Sequence, residues 1–191
     1  MSVDRKKQIL EAATKSFAQF GYKGTTMDLV SKLANVGKGT IYTFYKNKED
    51  LFSEIIDHLL LDMKIVADEA FDSQRPFVDS VHQALYSILE FRKTHHLTIK
   101  IFQESQEMGT PTVNEGVQKV EEMVLQYIKQ KIIDAIDRNE LKQCDPELTA
   151  FIILKLYISL IFDWEKHHEP LEKGKIAEIF EGYLLKGLSI R

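Results

Sequence analysis

Cysteine is almost missing from this chain: Cys144 is the one example in 191 residues. That excludes an internal disulfide and fits a reducing cytosol. Long apolar runs are missing as well. The strongest, Leu148 to Phe162, is shorter than the about 20 residues that span a bilayer and is interrupted by Lys155, so no membrane partner is expected. No N-terminal stretch joins a basic start to an apolar run and a small-residue cleavage site. No secretory signal is therefore expected, and the cytoplasm is the expected compartment. The sequence contains no internal repeat and no low-complexity segment.

The residue patterns of catalysis are missing too. There is no nucleophile elbow, no phosphate-binding glycine loop and no zinc-protease motif. His95-His96 and His167-His168 are adjacent pairs, and neighbours on a helix point about 100° apart, so neither pair is placed to chelate one ion. The carboxylates are scattered along what read as solvated helix faces. Glu104 and Glu107, for example, read as a surface pair. No enzymatic activity, metal or cofactor is expected.

What is present is an ordinary globular composition, 44% hydrophobic and 28% charged, with charge distributed unevenly. The whole chain carries −4, yet residues 1–50 hold nine Lys/Arg against five Asp/Glu, a net of +4. The remaining residues therefore carry −8. A basic head on an acidic body is suited to approach a polyanion head first.

That head contains the most organised stretch of the sequence, Thr25 to Phe52. Thr25 and Thr26 are helix-starting residues, because a hydroxyl there accepts from free backbone N–H groups. Leu29, Val30 and Leu33 repeat at helical spacing, which predicts a short amphipathic helix over 27–34. Asn35 tolerates the left-handed conformation that stops a helix, and Val36 pins the turn. Gly37 then opens a second helix, Lys38-Gly39-Thr40 forming its first turn. Ile41 and Tyr45 share its inward face, with Phe44 beside them. Lys38, Thr40, Tyr42 and Thr43, with the bare backbone of Gly39, lie on the other side. A cation, hydroxyls and a glycine suit an approach to phosphates and base edges. Helix, short turn and helix is the helix-turn-helix pattern, whose second helix enters a DNA major groove. Asn47-Lys-Glu-Asp50 follows as a capping-box-like start, with Asp in place of Glu or Gln, to a long helix.

Three blocks in this order and spacing carry a family resemblance. They are Phe17-Ala18-x-Phe20-Gly21-Tyr22-x-Gly24-Thr25-Thr26, then Lys38-Gly39-Thr40-Ile41-Tyr42, then Tyr45-Lys46-Asn47-Lys48-Glu49-x-Leu51-Phe52. The stretch resembles the DNA-binding domain of the TetR family of bacterial transcriptional repressors, over roughly the first 55 residues. Asn35 stands where that family usually has Gly, Gly37 replaces the usual Ser or Ala, and Phe44-Tyr45 reverses the common order of a polar aromatic before Phe. The resemblance implies an all-α protein with an N-terminal three-helix helix-turn-helix domain, residues 1–50, and a C-terminal helical ligand-binding and dimerisation domain, residues 51–191. The contact surface for a double-stranded DNA operator is then Thr26, Lys38, Gly39, Thr40, Tyr42, Thr43 and Lys48.

The rest of the chain reads as helices. Ser2–Phe20 has Ile9, Leu10, Ala13, Phe17 and Phe20 as its buried stripe, and 48–71 is one long helix without internal Gly or Pro. Arg75-Pro76 starts the next helix, to about residue 92, followed by a shorter one over Leu97–Met108. Gly109 to Asn114 reads as the clearest loop, ahead of an amphipathic helix over 115–138 in which Lys131 is the odd member of the apolar face. Asn139 ends that helix. Asp145-Pro146-Glu147 is a strong helix start, and 147–164 is apolar nearly all round. The last helix shows Ile176, Phe180, Tyr183, Leu184 and Leu188 as a seam. Residues 147–164 and 174–188, meeting their copies about a two-fold axis, are the expected homodimer interface.

An effector pocket follows from the resemblance. Phe102, Tyr127, Tyr157 and Trp164 are its candidate aromatic lining, and an apolar wall favours a lipophilic small molecule. The residues alone leave two other classes open. One is a helical interaction module whose head takes a protein partner, which a salt-independent function without DNA would favour. The other is an enzyme on a helical scaffold, which requires a catalytic cluster that the sequence does not show.

Overall fold

A computed structural model describes residues 2–188 except Ser73 and Pro76, so the expected helix start at Pro76 lies outside the described residues. The fold is all-α. In chain order the helices are α1 (Ser2–Gly24), α2 (Met27–Leu33), α3 (Lys38–Tyr42), α4 (Lys48–Ala70), α5 (Phe77–Thr94), α6 (His96–Met108), α7 (Pro111–Asp137), α8 (Pro146–Ile158) and α9 (Lys173–Phe180). A π-helical turn over Ser159–Asp163 and a 3-10 turn over Trp164–Lys166 extend α8. A second π-helical turn, Glu181–Leu185, and a short helical turn, Lys186–Leu188, extend α9. Among the described residues no helix is long and apolar enough to cross a membrane.

Two compact units divide the chain, each assembled from separate stretches: Met1–Asp62 with Arg92–Val120, and Met63–Phe91 with Glu121–Arg191. The first holds α1 to α3, the first part of α4, α6 and the start of α7. Its helices stop and start where local chemistry dictates. Thr26 caps α2, its hydroxyl accepting from the Leu29 N–H at 3.1 Å. Asn35 lies at φ 52°, the left-handed stop expected of it, and Asn139 does the same at φ 57° after α7. At the start of α4 the Asn47 side chain accepts from the Asp50 N–H at 2.7 Å. Asp50 reaches back to the Lys46 N–H at 3.3 Å, one residue beyond the usual partner in a capping box.

The core of this unit is built from Ile9, Ala13, Phe17, Val30, Ile41, Leu51, Phe52 and Val113, all essentially inaccessible. Phe17, Tyr22 and Phe52 form its aromatic centre: Phe17 stacks on Tyr22 at 5.9 Å, and Phe52 meets both edge-on at 5.2 and 5.0 Å. Two expected core residues are not in it. Phe20 is 45% exposed and Leu33 is 53% exposed, and Leu10 is only half-buried. The reason for Phe20 is the break at Gly21 (φ 71°, ψ 179°), which turns Tyr22 into the aromatic cluster instead. In α2 the inward face is Met27, Val30, Ser31 and Ala34, with Leu33 beyond its edge.

The expected loop over 109–114 is also corrected, since α7 already begins at Pro111. Thr110 is its cap: its hydroxyl accepts from the Val113 N–H at 3.3 Å and its carbonyl from the Asn114 N–H at 3.0 Å. Thr-Pro is a helix start, with proline in the first turn, where a missing N–H costs nothing.

The second unit closes around Phe77, Ile132, Ala135, Leu141, Ala150, Ile153, Ile161, Ile176 and Phe180. Asp145 caps α8 as its sequence predicts, accepting from the Glu147 and Leu148 N–H groups at 2.9 and 3.0 Å. The expected seam of the last helix divides: Ile176 and Phe180 are buried in their own subunit, and Leu184 and Leu188 lean on the same core. Tyr183 is left 86% exposed. A π-helical turn follows Phe180, and its wider spacing shifts which residues face inward.

One buried polar atom in the first unit has no partner among the described residues, the Tyr45 hydroxyl. Burial, and next the charge of Glu54, push its pKa upward. Glu54 itself is paired with Lys6 at 2.8 Å. Removing an unsatisfied buried hydroxyl relieves its desolvation cost. Tyr45→Phe is therefore expected to raise the unfolding free energy by about 1 kcal/mol in urea titration. A loss of that size would show the hydroxyl to be bonded after all.

Candidate nucleic-acid interface

Backbone bonds tie the turn to the end of α2: the Val36 N–H donates to Ser31 O at 3.0 Å and the Asn35 N–H to Lys32 O at 3.2 Å. Ile41, fully buried, and Tyr45 anchor the second helix to the core. This leaves Lys38, Gly39, Tyr42 and Thr43 exposed on the opposite side, with Thr40 half-buried at its edge. The Thr43 hydroxyl donates back to Thr40 O at 2.7 Å, which holds its methyl and oxygen in one rotamer. Thr26 is exposed at the start of α2, where its hydroxyl is already a cap acceptor.

Gly39 stands out within this group. A glycine inside a helix costs about 1 kcal/mol relative to alanine. Nothing in the subunit requires it here, because a Cβ at this position would meet no atom within 4 Å and the backbone is not left-handed. The result is a stretch of bare backbone on the exposed side of α3.

Charge on this face is organised by Asp28, which sequence reasoning did not single out. Its carboxylate pairs with Lys32 at 2.8 Å and lies 3.7 Å from the Lys38 ammonium. The hydrogen bond from Lys32 holds its carboxyl below the usual range, and the same bond raises Lys32. Lys48 is differently employed. Its ammonium donates to Tyr22 O at 3.0 Å and Thr25 O at 3.1 Å and lies 4.1 Å from the centre of the Tyr22 ring. It fastens the end of α1 to the start of α4.

Tyr22 is where these bonds meet. Its hydroxyl donates to Glu49 at 2.7 Å. Burial first, then that bond to a carboxylate, push the phenol up to about 12, and the bond in turn lowers Glu49. The backbone N–H groups of Tyr22 and Lys23, freed by the break at Gly21, donate to the two oxygens of Glu104 at 2.6 and 3.1 Å. Glu104 is thus no surface ornament paired with Glu107. The only sequence signal for the arrangement is Gly21, which marks where backbone donors come loose; the acceptor lies 82 residues away.

The candidate effector residues fall in different places. Phe102 is half-buried on α6 in the first unit, and the other three belong to the second. The Tyr127 hydroxyl donates to Asp68 at 2.9 Å, and burial chiefly raises its pKa. Tyr157 borders the second unit's core. Trp164 is 40% exposed, donates to Glu169 O at 3.2 Å and stacks on His168 at 3.9 Å. Among the described residues no three His, Cys, Asp or Glu side chains gather to hold a metal ion.

Comparison with known proteins agrees with this geometry. The family model described as bacterial regulatory proteins, tetR family, matches residues 9–55, which include α2, the turn and α3. The chain is 67% identical over 189 residues, 99% of each chain, to an uncharacterized HTH-type transcriptional regulator of Bacillus subtilis, YhgD. Among solved structures it resembles FadR of Bacillus subtilis in complex with stearoyl-CoA, with TM-score 0.76 and 17% identity over 91% of this chain and 96% of that one. It also resembles SmeT, a repressor from Stenotrophomonas maltophilia, in its complex with triclosan, with TM-score 0.78 and 17% identity over 98% and 92%. The helix-turn-helix head, the helical body and this extent of identity lead to one assignment: the chain belongs to the TetR family of bacterial regulatory proteins.

Proposed function

We propose that the chain is a transcriptional repressor that binds a palindromic duplex operator as a homodimer and is released by a small lipophilic effector. The observation that carries the DNA-binding part is the exposed face of α3, with a glycine that the subunit's own packing does not require. Lys38 and Lys48 supply charge, Thr26 and Tyr42 reach phosphates, and Thr40 and Thr43 lie nearest the base edges beside the Gly39 backbone. On this division residues 1–50 are the DNA-binding part, and residues 51–191 hold the effector and the dimer contacts. Lys38→Ala and Tyr42→Ala are expected to weaken operator binding in fluorescence anisotropy. Lys38→Ala should also lower the slope of log affinity against log salt by about one. Unchanged affinity in both variants would remove α3 from the interface.

The dimer part rests on apolar surface that one subunit leaves uncovered. Leu148, Phe151, Ile152, Trp164 and Tyr183 are all exposed, within the two stretches expected to meet a second copy. Exposed large apolar groups in this number mark an interaction surface. Tyr183→Glu is expected to sediment as a monomer at micromolar concentration, where the unmodified chain sediments as a dimer. A monomeric unmodified chain would refute the dimer.

The lipophilic effector is supported by the partners named for similar folds, stearoyl-CoA for FadR and triclosan for SmeT. Within the second unit, Tyr127, Tyr157 and Trp164 are its candidate aromatic contacts. Release requires only that the effector favour a form with mis-spaced heads; a tenfold loss of operator affinity takes about 1.4 kcal/mol of coupling.

A further inference from the structure

We propose that Glu104, on α6 and outside the stretch matched by the family model, is a positioning residue for DNA binding. Its carboxylate sets the orientation of the end of α1, and through Tyr22 and Lys48 that of the start of α4. The inference rests on the DNA-binding reading above and concerns only the first compact unit.

The geometry builds from one broken helix. At Gly21 the backbone leaves the helical conformation with φ 71°, so the N–H groups of Tyr22 and Lys23 lose the acceptors that a continuing helix would provide. Both of them donate to Glu104, one to each oxygen, at 2.6 and 3.1 Å. A carboxylate taking two backbone N–H groups makes charge-assisted bonds with directions fixed by both partners. The space is cut to fit it: a Cβ on Gly21 would lie 2.6 Å from the Glu104 oxygen. Glycine is therefore required at 21 for the backbone angle, and a Cβ there would push the carboxylate from its place.

The residue so held is the one on which the DNA-binding helices are mounted. Tyr22 packs its ring against Phe17 of α1 and Phe52 of α4 and donates its hydroxyl to Glu49. Its carbonyl, together with that of Thr25, accepts from Lys48. Thr25 bonds Ser16 at 3.0 Å inside the core and directly precedes Thr26, the cap of α2. One carboxylate on α6 thus fixes a peptide whose neighbours determine where α2 begins and where α4 begins. The recognition helix lies between those two points. A shift of α6 by the length of a hydrogen bond would change the seat of α3 without touching α3 itself.

The test uses the full-length protein and a duplex selected from random DNA by the unmodified chain, with an unrelated duplex as reference. Glu104→Ala is expected to lower affinity for the selected duplex by about tenfold, the scale of one lost charge-assisted bond. It should lower affinity for the unrelated duplex much less, because the surface charges of the head are untouched. Amide exchange at Tyr22 and Lys23 should quicken in the same variant. Gly21→Ala should reproduce the loss from the other side of the contact. Glu104→Gln, which keeps a single acceptor oxygen, should fall between Glu104→Ala and the unmodified chain. Val113→Ala, a core truncation in the same unit, serves as the control for lost stability alone. If it lowers affinity as much as Glu104→Ala does, the positioning role is overturned. Unmodified affinity in Glu104→Ala also overturns it while leaving the DNA-binding reading intact. Failure of the unmodified chain to select any duplex would instead defeat that reading.

Discussion

A helix that stops in the middle of a packed domain must find partners for the backbone groups it releases, and in this protein that requirement falls at Gly21. The break frees two N–H groups beside the aromatic centre of the first unit. The Tyr22 N–H, the more buried of the two, would cost on the order of 1–3 kcal/mol if left buried and unpaired. Glu104 meets the requirement from α6, and α6 is thereby recruited to the unit that holds the helix-turn-helix. The architecture of the head follows: the Phe17–Tyr22–Phe52 cluster needs the turn at Gly21, and the Lys48 contacts need Tyr22 in its place.

Local chemistry made much of this legible in advance. The left-handed Asn35 and Asn139, the caps at Thr26 and Asp145, and the inward Ile41 and Tyr45 each depend on residues within one helical turn of each other. Periodicity has no access to what lies far away in sequence. Phe20 follows the apolar repeat of α1 faithfully, yet the backbone break just after it hands its place to Tyr22. Glu104 looks solvated because its partners are N–H groups about 80 residues earlier, which no pattern of side chains displays. Thr110-Pro111 was legible as a turn and is a helix start, since the same dipeptide serves both. Gly39 was legible as an exposed position of the second helix, and the structure adds that a Cβ there would meet nothing in its own subunit.

The second unit accounts for the odd residue of α7. Lys131 interrupts an apolar face, but its ammonium lies 3.4 Å from Asp68 and within 5.0 Å of the centres of the Phe71 and Tyr127 rings. Charge is neutralised by the carboxylate, and the aromatic faces replace part of the lost hydration. The two π-helical turns, after α8 and after α9, lie in the stretches proposed to meet a second copy. Each shifts the register of the residues that follow. Ile176 and Phe180, ahead of the second turn, serve their own core, while Tyr183 within it faces outward.

The central claim is that the exposed face of α3 reads duplex DNA, and that two copies of it act together. It is tested most directly by incubating the purified full-length protein with fragmented genomic DNA of its host and sequencing what is retained. The account predicts a small number of sites sharing a palindrome, with half-site centres separated by a whole number of helical turns, about 10–10.5 base pairs each. Retention spread evenly over the genome, or enriched sites with no two-fold symmetry, would contradict it.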